Sequence, residues 1–166
     1  MANITLDGNP VNTSGSLPKI GSAAIDFNLV AKDLSTKTLA DFKGSKLILN
    51  IFPSVGTGVC SAAVRAFNKA AGKLENTKVL CISRDLPFAQ EQFCGAEGLT
   101  DVIMLSDYKN ADFGEAYGLL LTNGIFDALL SRCVVIVDTD NTIIYTEQVP
   151  DIAQEPNYEA ALDALK

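Results

Sequence analysis

The sequence has 166 residues, 48% of them hydrophobic and 20% charged, a length that suits one domain spanning residues 1–166. The 13 basic and 20 acidic residues give a net charge of −7, which disfavours binding to nucleic acid or to anionic membrane surfaces. Histidine is absent, which excludes Ser-His-Asp triads, cysteine–histidine proteases and histidine-ligated zinc.

The start of the chain lacks the basic residues and the long apolar stretch of a secretory signal. The longest apolar runs have the length of strands and fall far short of the roughly 20 residues that span a bilayer. We therefore expect a cytoplasmic protein with no membrane association. In such a reducing compartment the four cysteines are catalytic, metal-binding or simply buried.

The N-terminal segment predicts a short β-hairpin, with Ile4 and Leu6 on one strand and Val11 on the next. Six apolar runs bounded by turn residues then predict strands. These runs are Phe27–Val30, Leu47–Phe52, Val79–Ile82, Val102–Leu105, Val134–Val137 and Ile143–Tyr145.

Helical patterns lie between and after these strands. The residues that share one helix face are Cys60, Val64, Phe67 and Ala71 in the first helix, and Tyr158, Ala161, Leu162 and Leu165 in the last. A middle helix is predicted from Leu86 to Cys94, with Asp85 as its N-cap, Pro87 in its first turn and Gly95 at its end. The alternation predicts an α/β domain with helices on both faces of a central sheet.

The cysteines are separated by 21, 13 and 39 residues and form no Cys-x-x-Cys pair. This spacing disfavours a tetracysteine zinc site, which usually takes its ligands in close pairs. Cys81 and Cys133 lie inside apolar runs, so we expect both to pack as small buried side chains.

Cys60 follows a turn-rich loop that leads into a helix. If Thr57 caps that helix, Cys60 occupies its third position, where free backbone N–H groups stabilise a thiolate, whereas apolar burial opposes ionisation. From this spacing alone, a reactive thiol and a packing cysteine are equally good interpretations. Cys94 ends a short helix beside Gly95, which suits a thiol that must move but also an ordinary packing residue.

The stretch Pro53-Ser54-Val55-Gly56-Thr57-Gly58-Val59-Cys60 matches the Pro-x-x-x-Thr-x-x-Cys motif of peroxiredoxins. With the hairpin, Asp85–Gln90, Gln92–Leu99 and the ending Glu155–Leu162, the whole chain resembles the bacterial, atypical two-cysteine thiol peroxidase subfamily. One departure is Gly56, because members often carry an acidic residue before the motif threonine.

This resemblance implies a thioredoxin-like fold with a central mixed sheet, a homodimer, and no cofactor or metal ion. It also implies that Cys60 reduces hydrogen peroxide or an organic hydroperoxide, that Cys94 resolves the sulfenic acid as a disulfide, and that thioredoxin recycles the enzyme. Pro53, Thr57 and Arg132 are the implied supporting residues. Arg65 is a competing cation, which we interpret more readily as a solvated helix charge.

Two questions stay open from the sequence. The apolar segment 119–130 fits a peroxide mouth, a dimer contact or ordinary core packing. The alternative functions are a thioredoxin-like redox sensor that passes oxidation to a partner protein, and a general disulfide oxidoreductase, which the missing Cys-x-x-Cys motif disfavours.

Overall fold

The computed structural model describes residues 2–166. Its N-terminal hairpin consists of β1 (Ile4–Leu6) and β2 (Asn9–Val11), paired antiparallel. The turn residues Asp7 and Gly8 both have positive φ angles, of 49° and 79°. That backbone is the one a two-residue hairpin turn requires, and glycine adopts it without steric cost.

The remaining strands form one seven-stranded sheet with the order β4-β3-β7-β6-β5-β8-β9. They are β3 (Leu29–Val30), β4 (Thr36–Lys37), β5 (Lys46–Ile51), β6 (Thr77–Ser83), β7 (Val102–Ser106), β8 (Cys133–Val137) and β9 (Ile143–Gln148). Strands β5, β6 and β7 are parallel and the outer pairs are antiparallel. The predicted mixed sheet and its six predicted strands are confirmed. The two-residue β4 was missed because it contains no apolar run.

The helices are α1 (Gly58–Ala71), α2 (Pro87–Glu97), α3 (Asp112–Ala116) and α4 (Tyr158–Asp163), with a 3-10 turn at Leu39–Phe42. Side chains of α1, α2 and α4 pack on one face of the sheet. Phe113 of α3 and the 3-10 turn pack on the other. Helices on both faces were predicted, but α3 was not, because five residues are too few to show a helical period.

The middle helix differs from its prediction at both ends. Its N-cap residue is Leu86, which forms no side-chain capping bond, so the prediction that Asp85 caps the helix is wrong. The helix also continues past Gly95 to Glu97 and ends at Gly98, whose φ of 67° is left-handed. The Asp85 side chain turns instead toward the loop that precedes α1.

The apolar segment 119–130 is divided between core and surface. Leu119, Leu121 and Leu130 are essentially buried, whereas Ile125 is 88% exposed. Core packing is therefore the interpretation that these leucines support. None of the helices in residues 2–166 has the length and apolar character needed to cross a membrane.

Candidate active site

Cys60 lies at the third position of α1, one residue after Val59, and its side chain is fully buried. The helix follows the carboxyl end of β5, in the middle of the sheet. Thr57 is the N-cap, as predicted, and its Oγ1 accepts a hydrogen bond of 3.4 Å from the Cys60 N–H. The cap therefore fixes the backbone of the very residue that carries the sulfur.

The Arg132 guanidinium is also buried, with only 2% of the residue exposed. Its Nη2 donates to Cys60 Sγ at 3.1 Å, and its Nε donates to the Ile152 carbonyl at 2.7 Å. Nη1 has no hydrogen-bond partner among residues 2–166. A buried N–H group that lacks a hydrogen-bond partner costs free energy, because it has lost its hydrogen bonds to water. The site is therefore suited to bind a negatively polarised atom at Nη1.

The register of β5 and β8 explains how Arg132 reaches a cysteine 72 residues earlier in the chain. Ile51 at the end of β5 pairs with Cys133 at the start of β8. Arg132 therefore lies directly beside the point where the chain leaves β5 for the Pro53 loop. Pro53 is buried in that loop and has no N–H to leave unsatisfied.

The loop is held by residues that the motif alone does not identify. Asp85 accepts hydrogen bonds from Ser54 Oγ at 2.6 Å and from the Val55 N–H at 2.9 Å. Ser54 Oγ also accepts from the Gly56 N–H at 3.0 Å. Gly56 therefore lies in a tethered loop despite lacking the acidic side chain common in the subfamily. The sequence signal for Asp85 was ambiguous, because an aspartate two residues before a proline also suits a helix cap.

Cys94 is in the last turn of α2 and is the one cysteine of the four that is not buried. It lines a groove of about 590 Å³ together with Lys32, Glu91 and Gly98. Burial raises the pKa of the Cys94 thiol, the Glu91 carboxylate raises it further, and Lys32 lowers it. All four thiols are free, so the structure shows the reduced arrangement.

The side chains of Cys81, Cys133 and Arg65 form no hydrogen bond with Cys60 or Arg132 in residues 2–166. Burial raises the pKa of both Cys81 and Cys133 to about 12, which disfavours their thiolate forms at neutral pH. Arg65 forms an exposed ion pair with Glu97 at 3.4 Å. That contact agrees with its interpretation as a surface charge.

Comparison with known proteins identifies the family. The sequence model of the Redoxin family matches residues 19–162. The chain belongs to the redoxin family. Thiol peroxidases of Streptococcus pneumoniae, from strain R6 and from serotype 2 strain D39, are each 50% identical to this redoxin over 163 residues, covering 98% of both chains.

Solved structures share the fold of this redoxin. A peroxiredoxin-like protein from Aquifex aeolicus superposes with a TM-score of 0.93 at 33% identity, covering 99% of this chain and 96% of that one. A thiol peroxidase from Chromobacterium violaceum gives a TM-score of 0.90 at 20% identity, covering 98% and 94%, which shows the fold alone. The predicted thioredoxin-like fold, the resemblance to thiol peroxidases and the expected thiol-dependent peroxidase activity are confirmed.

Proposed function

We propose that Cys60 is the peroxidatic cysteine of this redoxin, that Cys94 resolves it, and that Arg132, Thr57 and Pro53 form the peroxide site. The observation that carries the proposal is the 3.1 Å contact between Arg132 Nη2 and Cys60 Sγ, with the neighbouring Nη1 unpartnered. One guanidinium thus offers a donor to the sulfur and a second donor to an oxygen beside it.

In the first step the Cys60 thiolate attacks the terminal oxygen of a hydroperoxide. A sulfur–oxygen bond forms, the oxygen–oxygen bond breaks, and the electron pair of the broken bond leaves on the departing oxygen. That oxygen takes a proton and is released as water or an alcohol. Cys60 becomes a sulfenic acid, oxidised by two electrons.

Catalysis of this step depends on stabilising the charge that moves onto the departing oxygen. Arg132 Nη1 is an N–H donor that needs no reorganisation, since its partners Ile152 and Cys60 fix the guanidinium plane. The N-terminus of α1 adds the positive end of a helix dipole. Pro53 is buried in the loop before α1, and we expect it to shield the sulfur and to limit competition by water for these donors.

In the second step the Cys94 thiolate attacks the Cys60 sulfenic acid sulfur. A disulfide forms and the sulfenic oxygen leaves as water after taking a proton. A dithiol protein then reduces the disulfide by exchange, and we propose thioredoxin as that reductant. Cys94 is accessible beside the 590 Å³ groove, which supports its sulfur as the one that the thiol of the reducing protein attacks.

Three further expectations belong to the same proposal. A cytoplasmic location suits a cycle that consumes reducing equivalents. Residues 1–166 act as one domain, because the hairpin contacts the segment that holds Arg132. Thr5 of the hairpin donates a hydrogen bond to Asp151, and the next residue, Ile152, accepts from Arg132 through its carbonyl. A homodimer is supported by the exposed apolar side chains of Leu86 and Phe88 at the start of α2, which are 51% and 66% exposed.

The decisive experiment follows both thiols through one peroxide turnover. Reduced protein is mixed with one equivalent of hydrogen peroxide or cumene hydroperoxide, quenched at intervals and analysed by intact mass. Intact mass is the readout because the chain has no tryptophan whose fluorescence could follow the reaction. Cys60→Ser is expected to leave the peroxide unreduced, and Cys94→Ser to stop at the sulfenic acid. Normal thioredoxin-coupled turnover by either variant would refute the assignment. Cys81→Ser is the control, and it is expected to retain normal turnover.

A further inference from the structure

The Asp85 carboxylate joins the loop that carries Cys60 to the strand end from which the Cys94 helix departs. Its Oδ1 accepts from Ser54 Oγ at 2.6 Å. Its Oδ2 accepts from the Val55 N–H at 2.9 Å and from Ser83 Oγ at 2.6 Å. One carboxylate thus accepts three hydrogen bonds from two separate segments, and such charge-assisted bonds are the strong ones.

The network continues from Ser83 into helix α2. Gln90 Nε2 donates to Ser83 Oγ at 3.0 Å and to the Leu105 carbonyl at 2.9 Å. Gln90 is almost fully buried and lies one helical turn before Cys94, on the same side of α2. A continuous chain of hydrogen bonds therefore runs from the Cys60 loop, through Asp85, Ser83 and Gln90, to the helix of Cys94.

The end of this network in α2 is incompletely satisfied. Gln90 Oε1 is buried and has no hydrogen-bond partner among residues 2–166. Asp85 also forgoes the capping of α2, which begins at Leu86 without a side-chain cap. The missing side-chain cap and the unpartnered Gln90 Oε1 both lower the stability of helix α2. Both features therefore favour local unfolding of α2 when the contacts break.

We infer that disulfide formation requires such a release. The Cα atoms of a disulfide lie within about 7 Å, whereas the Cys60 sulfur is fully buried against Arg132 at the start of a different helix from Cys94. The bonds that hold the two segments in the peroxide-reducing arrangement are therefore the bonds that resolution must break. When they break, the Asp85 carboxylate regains water as a hydrogen-bond partner, which offsets much of their loss.

We propose that Asp85 is a positioning residue that couples the two halves of the catalytic cycle: it holds the Cys60 loop ready for peroxide, and its release lets Cys94 reach Cys60. The inference rests on the proposed function of these two cysteines. It requires that weakening the hydrogen bonds to the Asp85 carboxylate slow sulfenic acid formation and accelerate disulfide formation. A residue that only stabilises the fold has no reason to move the two rates in opposite directions.

The test is Asp85→Asn in the full chain, with both steps timed by rapid quench and intact mass. The amide keeps the shape of the side chain, but its NH2 group replaces one of the two oxygens that accept hydrogen bonds. That group cannot accept a hydrogen bond from the Val55 N–H or from a serine O–H. We expect the rate of sulfenic acid formation to fall on the order of tenfold. We expect disulfide formation from the sulfenic acid to become several times faster.

Glu97→Gln is the matched control. It removes an exposed ion pair between Arg65 and Glu97, which also joins α1 to α2. Exposed ion pairs contribute little, so both rates are expected to stay within about twofold of the wild type. Ser54→Ala, which deletes only one of the three bonds to Asp85, is expected to shift both rates in the same directions as Asp85→Asn but less.

The outcomes separate the inference from the proposed function. Opposite changes in the two rates support the role of Asp85. A fall in both rates, or no change in either, would overturn it, and Ser54→Ala decides the question if Asp85→Asn does not fold. Failure of wild-type protein to form a Cys60 sulfenic acid, or normal turnover by Cys94→Ser, would instead refute the proposed function.

Discussion

Arg132 Nη2 lies 3.1 Å from Cys60 Sγ, although the two residues are 72 positions apart in the sequence. The pairing of β5 with β8 brings them together, and the Ile152 carbonyl fixes the guanidinium through Nε. This leaves Nη1 as a buried, preoriented donor with no partner among residues 2–166. The peroxide chemistry proposed for this redoxin depends on that geometry more than on the presence of the thiol alone.

Replacing Arg132 by lysine tests this dependence. Lysine keeps the positive charge, but its three N–H donors share one nitrogen on a flexible stem, so they cannot reproduce the planar fork that reaches Ile152, Cys60 and the peroxide from separate nitrogens. We expect kcat/KM for hydrogen peroxide to fall about 100-fold, the usual effect of removing a preorganised donor. Coupled thioredoxin turnover measures this value, and a loss smaller than threefold would contradict the role assigned to Nη1.

Thr57 is expected to act through its hydroxyl group, which caps α1 at the Cys60 N–H. Thr57→Val keeps the volume and removes the cap, so we expect the free energy of unfolding of the reduced protein to fall by about 1 kcal/mol. We also expect slower sulfenic acid formation, because the Cys60 backbone loses its anchor. Thr57→Ser keeps the hydroxyl and is the control. Urea unfolding and rapid quench check the two effects, and equal behaviour of Val and Ser variants would contradict them.

The pH dependence of resolution follows from the surroundings of Cys94. Burial raises the pKa of this thiol, the Glu91 carboxylate raises it further, and Lys32 lowers it. A raised pKa means less thiolate at neutral pH, so the rate of disulfide formation is expected to increase as the pH rises toward that pKa. Glu91→Gln should shift the profile to lower pH and Lys32→Gln to higher pH, each changing the neutral rate by about twofold because the charges are screened.

Rapid quench across a pH series measures both Cys94 profiles. The two substitutions remove opposite charges from one groove, so each serves as the control for the other. Shifts in the same direction, or no shift in either variant, would show that the nearby charges do not govern the Cys94 thiolate.

The sequence predicted the parts of the site that are local in the chain. The spacing of Thr57 and Cys60 is enough to indicate a capped helix start, and the structure has that cap. Arg132 could be named only by resemblance, because its position depends on the register of two strands distant in sequence. Asp85 was misjudged since its local pattern suits a helix cap, whereas two of the three hydrogen-bond donors to its carboxylate lie 30 and 31 residues away.

The last prediction concerns Asp151, which links the N-terminal hairpin to the arginine site. Its carboxylate accepts from Thr5 Oγ1 at 2.7 Å and from the N–H groups of Gly8 and Ala153, both at 2.9 Å. These bonds, that from Thr5 foremost, lower the pKa of Asp151 from 3.8 to about 2. The next residue is Ile152, whose carbonyl holds Arg132 Nε.

Because the folded-state pKa of Asp151 lies below its value in the unfolded chain, the carboxylate stabilises the fold at neutral pH. That stabilisation is complete above about pH 4 and is lost as the pH falls through about 2. Asp151→Asn is therefore expected to lower the Tm at pH 7, with a difference from wild type that shrinks between about pH 4 and pH 2. It should also slow peroxide reduction, because a looser loop lets the guanidinium rotate.

Asp140→Asn is the matched control for Asp151→Asn. Hydrogen bonds from Thr142 lower the pKa of Asp140 as well, but Asp140 lies in the turn between β8 and β9, at the opposite end of β8 from Arg132. Its substitution should change the acid dependence of the Tm in the same direction and leave kcat/KM for peroxide unaltered. Equal effects of the two substitutions on kcat/KM would mean that the hairpin contributes general stability and does not position Arg132. A rate loss confined to Asp151→Asn would tie the hairpin to the chemistry at Cys60.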